Sequence, residues 1–252
     1  MAETFIGAGG WAYFRVPSMD SLRAYAQVFD FAEVNSTFYS YPSLRRVRSW
    51  RDRTSPGFRF AVRSHYDLTH RAELQPVPEA FQAYERMMRI CRILGADILH
   101  LLTPASMEIT DEKAEGFRRF FNSVDMGQVR VAWEARSSQG GGLSPKLAGL
   151  MKDLGIVHCV DISREEPAFE SDLLYTRLFG KGAHNVYQFS DRELREISQK
   201  VDEASRTSYL AFHGVRMYAD AARLKLFRQT GSFPKLRGPT GIQDLLSPRH
   251  QA

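Results

Sequence analysis

The chain has 252 residues with 34 Lys and Arg against 29 Asp and Glu, so it carries a net charge of +5; that length supports one large core of the size usual for a single β/α barrel, and the charge favours anionic partners. Its two cysteines, Cys91 and Cys159, exclude a disulfide framework or a thiolate metal cluster and fit a reducing cytoplasm. No apolar run reaches the roughly 18 residues of a membrane span, and no basic segment with an apolar stretch precedes the first strand, so a soluble cytoplasmic protein with no membrane partner is expected.

Short β-rich runs alternate with helical patterns along the chain, the sequence form of repeated βαβ units. Strands are expected near Thr4 to Ala8, Phe31 to Asn35, Phe58 to Ser64, Asp97 to Leu102, Val129 to Glu134, Ile156 to Asp161, Leu173 to Phe179 and Ser208 to His213. Helices between them carry start signals: Asp20, Asp111 ahead of the segment 112–123, and Ser190 with Glu193 as a capping box. Gly95 and Gly155 sit where helices should stop. Only Ser163 to Asp172 separates strands six and seven, too short for a full crossover helix. The fold class is therefore α/β, a single parallel (β/α)8 barrel of the TIM type over residues 1–231 with an irregular unit between strands six and seven. Residues 232–252, rich in Pro, Gly and basic residues, read as an irregular tail.

Strand two ends Phe31-Ala32-Glu33-Val34-Asn35 and runs on into Ser36-Thr37-Phe38-Tyr39-Ser40-Tyr41-Pro42. Side chains alternate along a strand, so Glu33 and Asn35 share one face. With Gly10-Trp11-Ala12-Tyr13 upstream, and Phe58-Arg59-Phe60-Ala61-Val62-Arg63 and Thr69-His70 downstream, this segment resembles the YecE-like family of barrel proteins, whose function is unknown. The resemblance implies a parallel β/α barrel with a polar pocket at one end. The sequence departs from that family at Arg177-Leu178-Phe179-Gly180, where Arg-x-His-Gly is common, and at Phe212-His213-Gly214, where paired asparagines are usual. A histidine at 213 could compensate in space for the one absent at 179.

Barrel enzymes place their chemistry at the C-terminal ends of the strands, and polar residues gather there. Glu33 and Asn35 come from strand two, Arg63, His65 and His70 from strand three and its loop, Glu134 and Arg136 from strand five. Asp161 and His213 end strands six and eight, and strand seven carries Arg177. Arginines beyond what the carboxylates neutralise would leave positive potential for an anionic substrate. Glu33 or Glu134 is then the general base, with His70 a second proton carrier. Arg63, Arg136 and Arg177 would bind or orient the substrate, and Asn35 would donate a hydrogen bond. The competing reading is a self-neutralising structural network. His65 is expected as an exposed loop residue and His100 as a satisfied core histidine.

Gly180-Lys181-Gly182 follows strand seven, where barrels often hold phosphate, with Lys181 supplying charge. Gly140-Gly141-Gly142 is a mobile lid or a plain loop. Trp11, Tyr13, Phe14, Phe38, Tyr39 and Tyr41 would form an aromatic wall able to stack a ring, or else seal the barrel top. Gly7-Ala8-Gly9-Gly10-Trp11-Ala12 matches a dinucleotide fingerprint only nominally, because no helix opens at its glycines. A metal held by Glu33, Glu134, Asp161 and His213 is opposed by the neighbouring guanidiniums, so neither metal nor cofactor is expected. Arg45, Arg46, Arg48, Arg51 and Arg53 crowd one helix, and Arg86, Arg89 and Arg92 another, which keeps nucleic acid open as a partner. The leading expectation is a metal-independent barrel enzyme acting by general acid/base chemistry on a small anionic, phosphorylated or nucleotide-like, substrate. The alternatives are a nucleic-acid-binding barrel and a ligand-binding protein without turnover. Oligomeric state leaves no mark in the sequence.

Overall fold

The computed structural model describes residues 2–136, 143–182 and 185–234. Eight strands form the sheet: β1 Thr4–Ala8, β2 Phe31–Val34, β3 Arg59–Arg63, β4 Ile98–Thr103, β5 Arg130–Ala135, β6 Val157–His158, β7 Leu173–Leu178 and β8 Thr207–Phe212. All neighbours are parallel, in the order β6-β5-β4-β3-β2-β1-β8-β7. A bridge between Val160 and Thr176 joins the two ends, so the sheet curls into a nearly closed barrel.

The helices are α1 Ser21–Val28, α2 Leu44–Asp52, α3 Pro78–Leu94, α4 Asp111–Asn122, α5 Pro145–Asp153, α6 Asp191–Ala204 and α7 Met217–Thr230. A 3₁₀ turn over Ser36–Phe38 and a π-helical turn over Asp67–Arg71 fill the loops after β2 and β3. Asp20 caps α1 by accepting from the N–H groups of Leu22 and Arg23, and Ser190 with Glu193 closes the capping box of α6. The cap of α4 is Thr110, one residue before the expected Asp111, because its hydroxyl accepts from Lys113 N while Asp111 occupies the first helical position. Gly95 ends α3 at φ 64°, in the left-handed region that glycine enters without strain.

Strand six is shorter than the expected Ile156 to Asp161. Only Val157 and His158 pair with β5, and the chain then turns around Asp161, whose Oδ1 accepts from the N–H and hydroxyl of Ser163. No helix separates β6 from β7, in line with the ten-residue spacing.

Two apolar layers hold the barrel. Between sheet and helices lies the larger cluster, in which Trp133 is fully buried against Phe117 and Phe121. Inside the barrel, Phe31, Ala61, Ile98, Ala132, Tyr175 and Ala211 form the second. Strands buried on both faces explain uniformly apolar runs such as β4. Gly7 allows β1 and β2 to meet: a Cβ there would lie 2.0 Å from Phe31 O. Tyr25 exploits the gap, its hydroxyl accepting from Ala8 N at 2.6 Å and donating to Phe31 O at 2.8 Å. After α7 the chain passes through Gly231 to Pro234 without regular structure, and the rest of the expected tail lies outside the described residues.

Candidate functional site

The period-two alternation of parallel strands delivers polar side chains to the barrel interior at the C-terminal ends of β2, β3, β4, β5 and β7. Glu33 comes from β2, Arg63 from β3, His100 from β4, Glu134 from β5, and Tyr175 and Arg177 from β7. Arg63 and His100 are register partners, which sets them at one level. His213 follows β8 directly.

Arg177 is the hub. Its Nε donates to Glu33 Oε2 at 3.0 Å, one terminal nitrogen to Glu33 Oε1 at 3.1 Å, and the other to Glu134 Oε2 at 2.6 Å. Glu33 is fully buried and Arg177 nearly so. The Tyr175 hydroxyl also donates to Glu33 Oε2, and His213 Nε2 lies 3.5 Å from Glu33 Oε1. Glu134 is the more open carboxylate, with Oε1 accepting from Arg136 Nε at 3.0 Å and His100 Nε2 3.4 Å from Oε2. Burial alone would raise both carboxyl pKa values, but Arg177, with the histidines and Arg136, outweighs it and holds both well below 4.5. Each glutamate, expected as the general base, is a stabilised anion of low basicity that accepts two guanidinium hydrogen bonds. Arg177 is nearly fully buried, and three of its five N–H donors are engaged with these two carboxylates.

Above this network the charge does not cancel. Two carboxylates, Glu33 and Glu134, face three guanidiniums, Arg177, Arg136 and Arg63, so one positive charge is left over. Arg63 makes no ion pair among the described residues; its guanidinium lies 4.0 Å from the centre of the Phe38 ring, and its buried Nε has no hydrogen-bond partner. Burial, then repulsion from Arg177, lowers its pKa. His70 stands beside Arg63 and Arg136. Burial and those two positive charges push its pKa below 6.5, leaving the ring neutral at pH 7. Thr69 Oγ1 holds Nδ1 at 2.9 Å; when Nδ1 carries the proton, Nε2 presents a lone pair.

Asn35 and His213 meet over Gly9. A Cβ on Gly9 would lie 2.5 Å from His213 Nδ1 and 2.8 Å from Asn35 Nδ2, so only glycine permits the approach. Asn35 Nδ2 donates to Gly9 O at 2.9 Å. The His213 ring stacks on Phe179 with centroids 4.5 Å apart, so the histidine does sit beside position 179.

Other expected residues go elsewhere. Lys181 is mostly exposed and its ammonium lies 3.6 Å from Glu193. Asp161 Oδ2 accepts from the N–H groups of Phe179 and Gly180 at 2.8 and 3.0 Å, which takes those donors away from any phosphate and removes Asp161 from the convergent acids. The aromatic wall is dispersed: Trp11 packs edge-on against Trp50 and Phe60 outside the barrel, and Phe14 is buried against Tyr25, Phe29 and Tyr218. Tyr13 and Tyr39 are 80% and 72% exposed. His65 is buried rather than exposed, stacked on Tyr41 at 3.9 Å with its Nδ1 3.1 Å from Asp67. His100 is buried but not satisfied, since neither ring nitrogen makes a hydrogen bond. Gly140 to Gly142 lie outside the described residues.

Sequence reasoning did not single out Tyr175, although it precedes Arg177 by two residues and therefore shares its face. Ligand atoms of His100, Glu134 and Cys159 come within 4.8 Å of one another. A cation there would meet the Arg177 guanidinium already bonded to Glu134, and a thiol whose pKa burial drives well above 9.0, so the donor set is poorly suited to a divalent ion.

The model of the family described as "Protein of unknown function DUF72" matches residues 5–237. The chain belongs to the DUF72 family. This agrees with the YecE-like resemblance. A DUF72 protein from Thermotoga maritima is 18% identical, with 90% of this chain and 99% of that one covered at a TM-score of 0.71. One from Enterococcus faecalis is 17% identical, with 92% and 99% covered at a TM-score of 0.69. D-psicose 3-epimerase, solved in the presence of D-fructose, is 10% identical over 88% of each chain with a TM-score of 0.57, a likeness of fold alone. No curated protein matches this sequence. Among the described residues of this DUF72 chain, no helix is long and apolar enough to cross a membrane.

Proposed function

We propose that this DUF72 protein is a barrel enzyme that binds a small anionic substrate at the C-terminal rim and moves a proton through His70. Arg63 and Arg136 take the anion, and His70 Nε2 is the base. The Glu33–Arg177–Glu134 cluster is the rigid floor, its second carboxylate balanced by Arg136. The observation that carries this reading is Arg63: a guanidinium beside a neutral histidine, with a buried, unpartnered Nε and no carboxylate of its own among the described residues. Removing a charge-assisted contact costs about 1.5–3 kcal/mol. Arg63→Gln should therefore weaken inorganic phosphate binding roughly 10- to 100-fold by calorimetry. Equal affinity in both proteins would contradict the assignment.

A second reading rests on α2. Arg45, Arg46 and Arg48 are exposed and make no ion pair among the described residues, and the first turn of α2 holds no acid to offset them. Arg51 and Arg53 are engaged with backbone carbonyls and Asp20. If this face tracks a nucleic-acid backbone, reversing all three arginines to Glu should abolish binding of a single-stranded oligonucleotide and its steep salt dependence. A salt-independent affinity would remove this reading.

A further inference from the structure

Two polar atoms beside the network have no explanation in the anion site. Asn35 Oδ1 and His213 Nε2 are both buried and neither has a hydrogen-bond partner. The Asn35 orientation is fixed by chemistry: Gly9 O can only accept, so the amide nitrogen must face it, which leaves Oδ1 as a pure acceptor turned away. His213 cannot swing out, being clamped between Phe179 and the space over Gly9. Its Nε2 approaches Glu33 Oε1 only to 3.5 Å and makes no hydrogen bond. Buried polar atoms are almost always paired, and leaving one unpaired costs free energy comparable to a lost hydrogen bond. Two unpartnered atoms on side chains that meet over Gly9 are therefore candidates to be satisfied by a bound molecule.

We infer that Asn35 Oδ1 and His213 Nε2 form a hydroxyl-recognition subsite flanking Glu33, so that the anion held by Arg63 belongs to a hydroxylated molecule of the sugar phosphate class. Asn35 Oδ1 demands a donor, which no ionised phosphate or carboxylate oxygen can supply. A hydroxyl donates to Asn35 and uses its lone pairs or its neighbouring hydroxyl at His213, whichever ring nitrogen is protonated. The two kinds of atom sort the substrate: negative charge towards Arg63 and Arg136, hydroxyls towards Asn35 and His213. Gly9 lets the two side chains hold these positions, because a Cβ there would strike His213 Nδ1 and Asn35 Nδ2. The assignment rests on the anion reading given above and adds the part of the substrate that the arginines do not see.

The test compares binding of inorganic phosphate, ethyl phosphate, glycerol phosphate and uncharged ribose to the wild type, Asn35→Ala and His213→Phe. Phenylalanine preserves the stack on Phe179 while deleting both ring nitrogens, and thermal melting reports whether each variant is folded. The wild type should bind glycerol phosphate roughly tenfold more tightly than ethyl phosphate. Each variant should lose that preference and keep its affinity for inorganic phosphate. If the wild type binds the two esters equally, or if both variants retain the preference, the subsite is overturned. Ribose separates the two ideas. Binding of ribose that Asn35→Ala abolishes, without binding of inorganic phosphate, supports the hydroxyl subsite and overturns the anion site. A wild type that binds neither ribose nor glycerol phosphate overturns the subsite.

Discussion

Arg177→Met is expected to destabilise the protein by roughly 3–5 kcal/mol, the cost of stranding a buried charge by removing its partner. Glu33, fully buried, would lose both of its guanidinium bonds and Glu134 its 2.6 Å bond. The same substitution inverts the titration of Glu33. With Arg177 present its pKa is depressed; without it, burial dominates and raises the pKa, so the variant's deficit should shrink as the solution is acidified and Glu33 takes up a proton. Adding Glu33→Gln to Arg177→Met should recover a large part of the loss, because the stranded charge is gone. Urea midpoints at pH 8 and pH 5 for the three variants measure all of this. A loss under about 1 kcal/mol for Arg177→Met would mean that the hub does not hold the floor together.

Acidification should unfold the protein in two stages. His158 is buried, its Nδ1 accepting from Ala168 N at 3.0 Å, and burial lowers its pKa from 6.5 to about 4. A depressed folded pKa means that the unfolded chain binds the proton first. The contribution is therefore complete above pH 6.5 and is lost progressively as pH falls towards 4. For His158 alone that is roughly 3 kcal/mol. His100, His213 and His70 are depressed too and act in the same direction. Glu33 and Glu134 add a second stage that begins near their ordinary 4.5 and runs down through their lower folded values. Urea unfolding free energies between pH 8 and pH 3 should decline from about pH 6.5, and His158→Gln should flatten the first stage. A flat profile down to pH 5 would contradict the burial of neutral histidines.

The barrel was legible because its signals are local. Each strand is a short apolar run, and caps such as Asp20, Ser190 and Gly95 follow from side-chain and backbone chemistry within one turn. The gathering of Glu33, Glu134, Arg63 and Arg177 at the strand ends also followed from period-two alternation. What the sequence did not carry was who satisfies whom. Whether Arg177 is free or spent depends on its distances to two glutamates from strands far away in sequence. Burial of His65 comes from its stack on Tyr41, a partner 24 residues away that no local propensity marks. Lys181 seemed placed for phosphate by chain position, yet Glu193 at the start of α6 draws its ammonium. The low pKa of His70 was equally hidden, since it depends first on burial and then on Arg63, at the end of β3, and on Arg136, just after β5.

The most direct measurement of the central claim is an NMR titration of the His70 imidazole, with and without inorganic phosphate. The free protein should show His70 neutral at pH 7 with a pKa below 6.5, and phosphate binding between Arg63 and Arg136 should raise that pKa by neutralising the charges that depress it. A His70 signal that titrates at 6.5 and ignores phosphate would contradict the account.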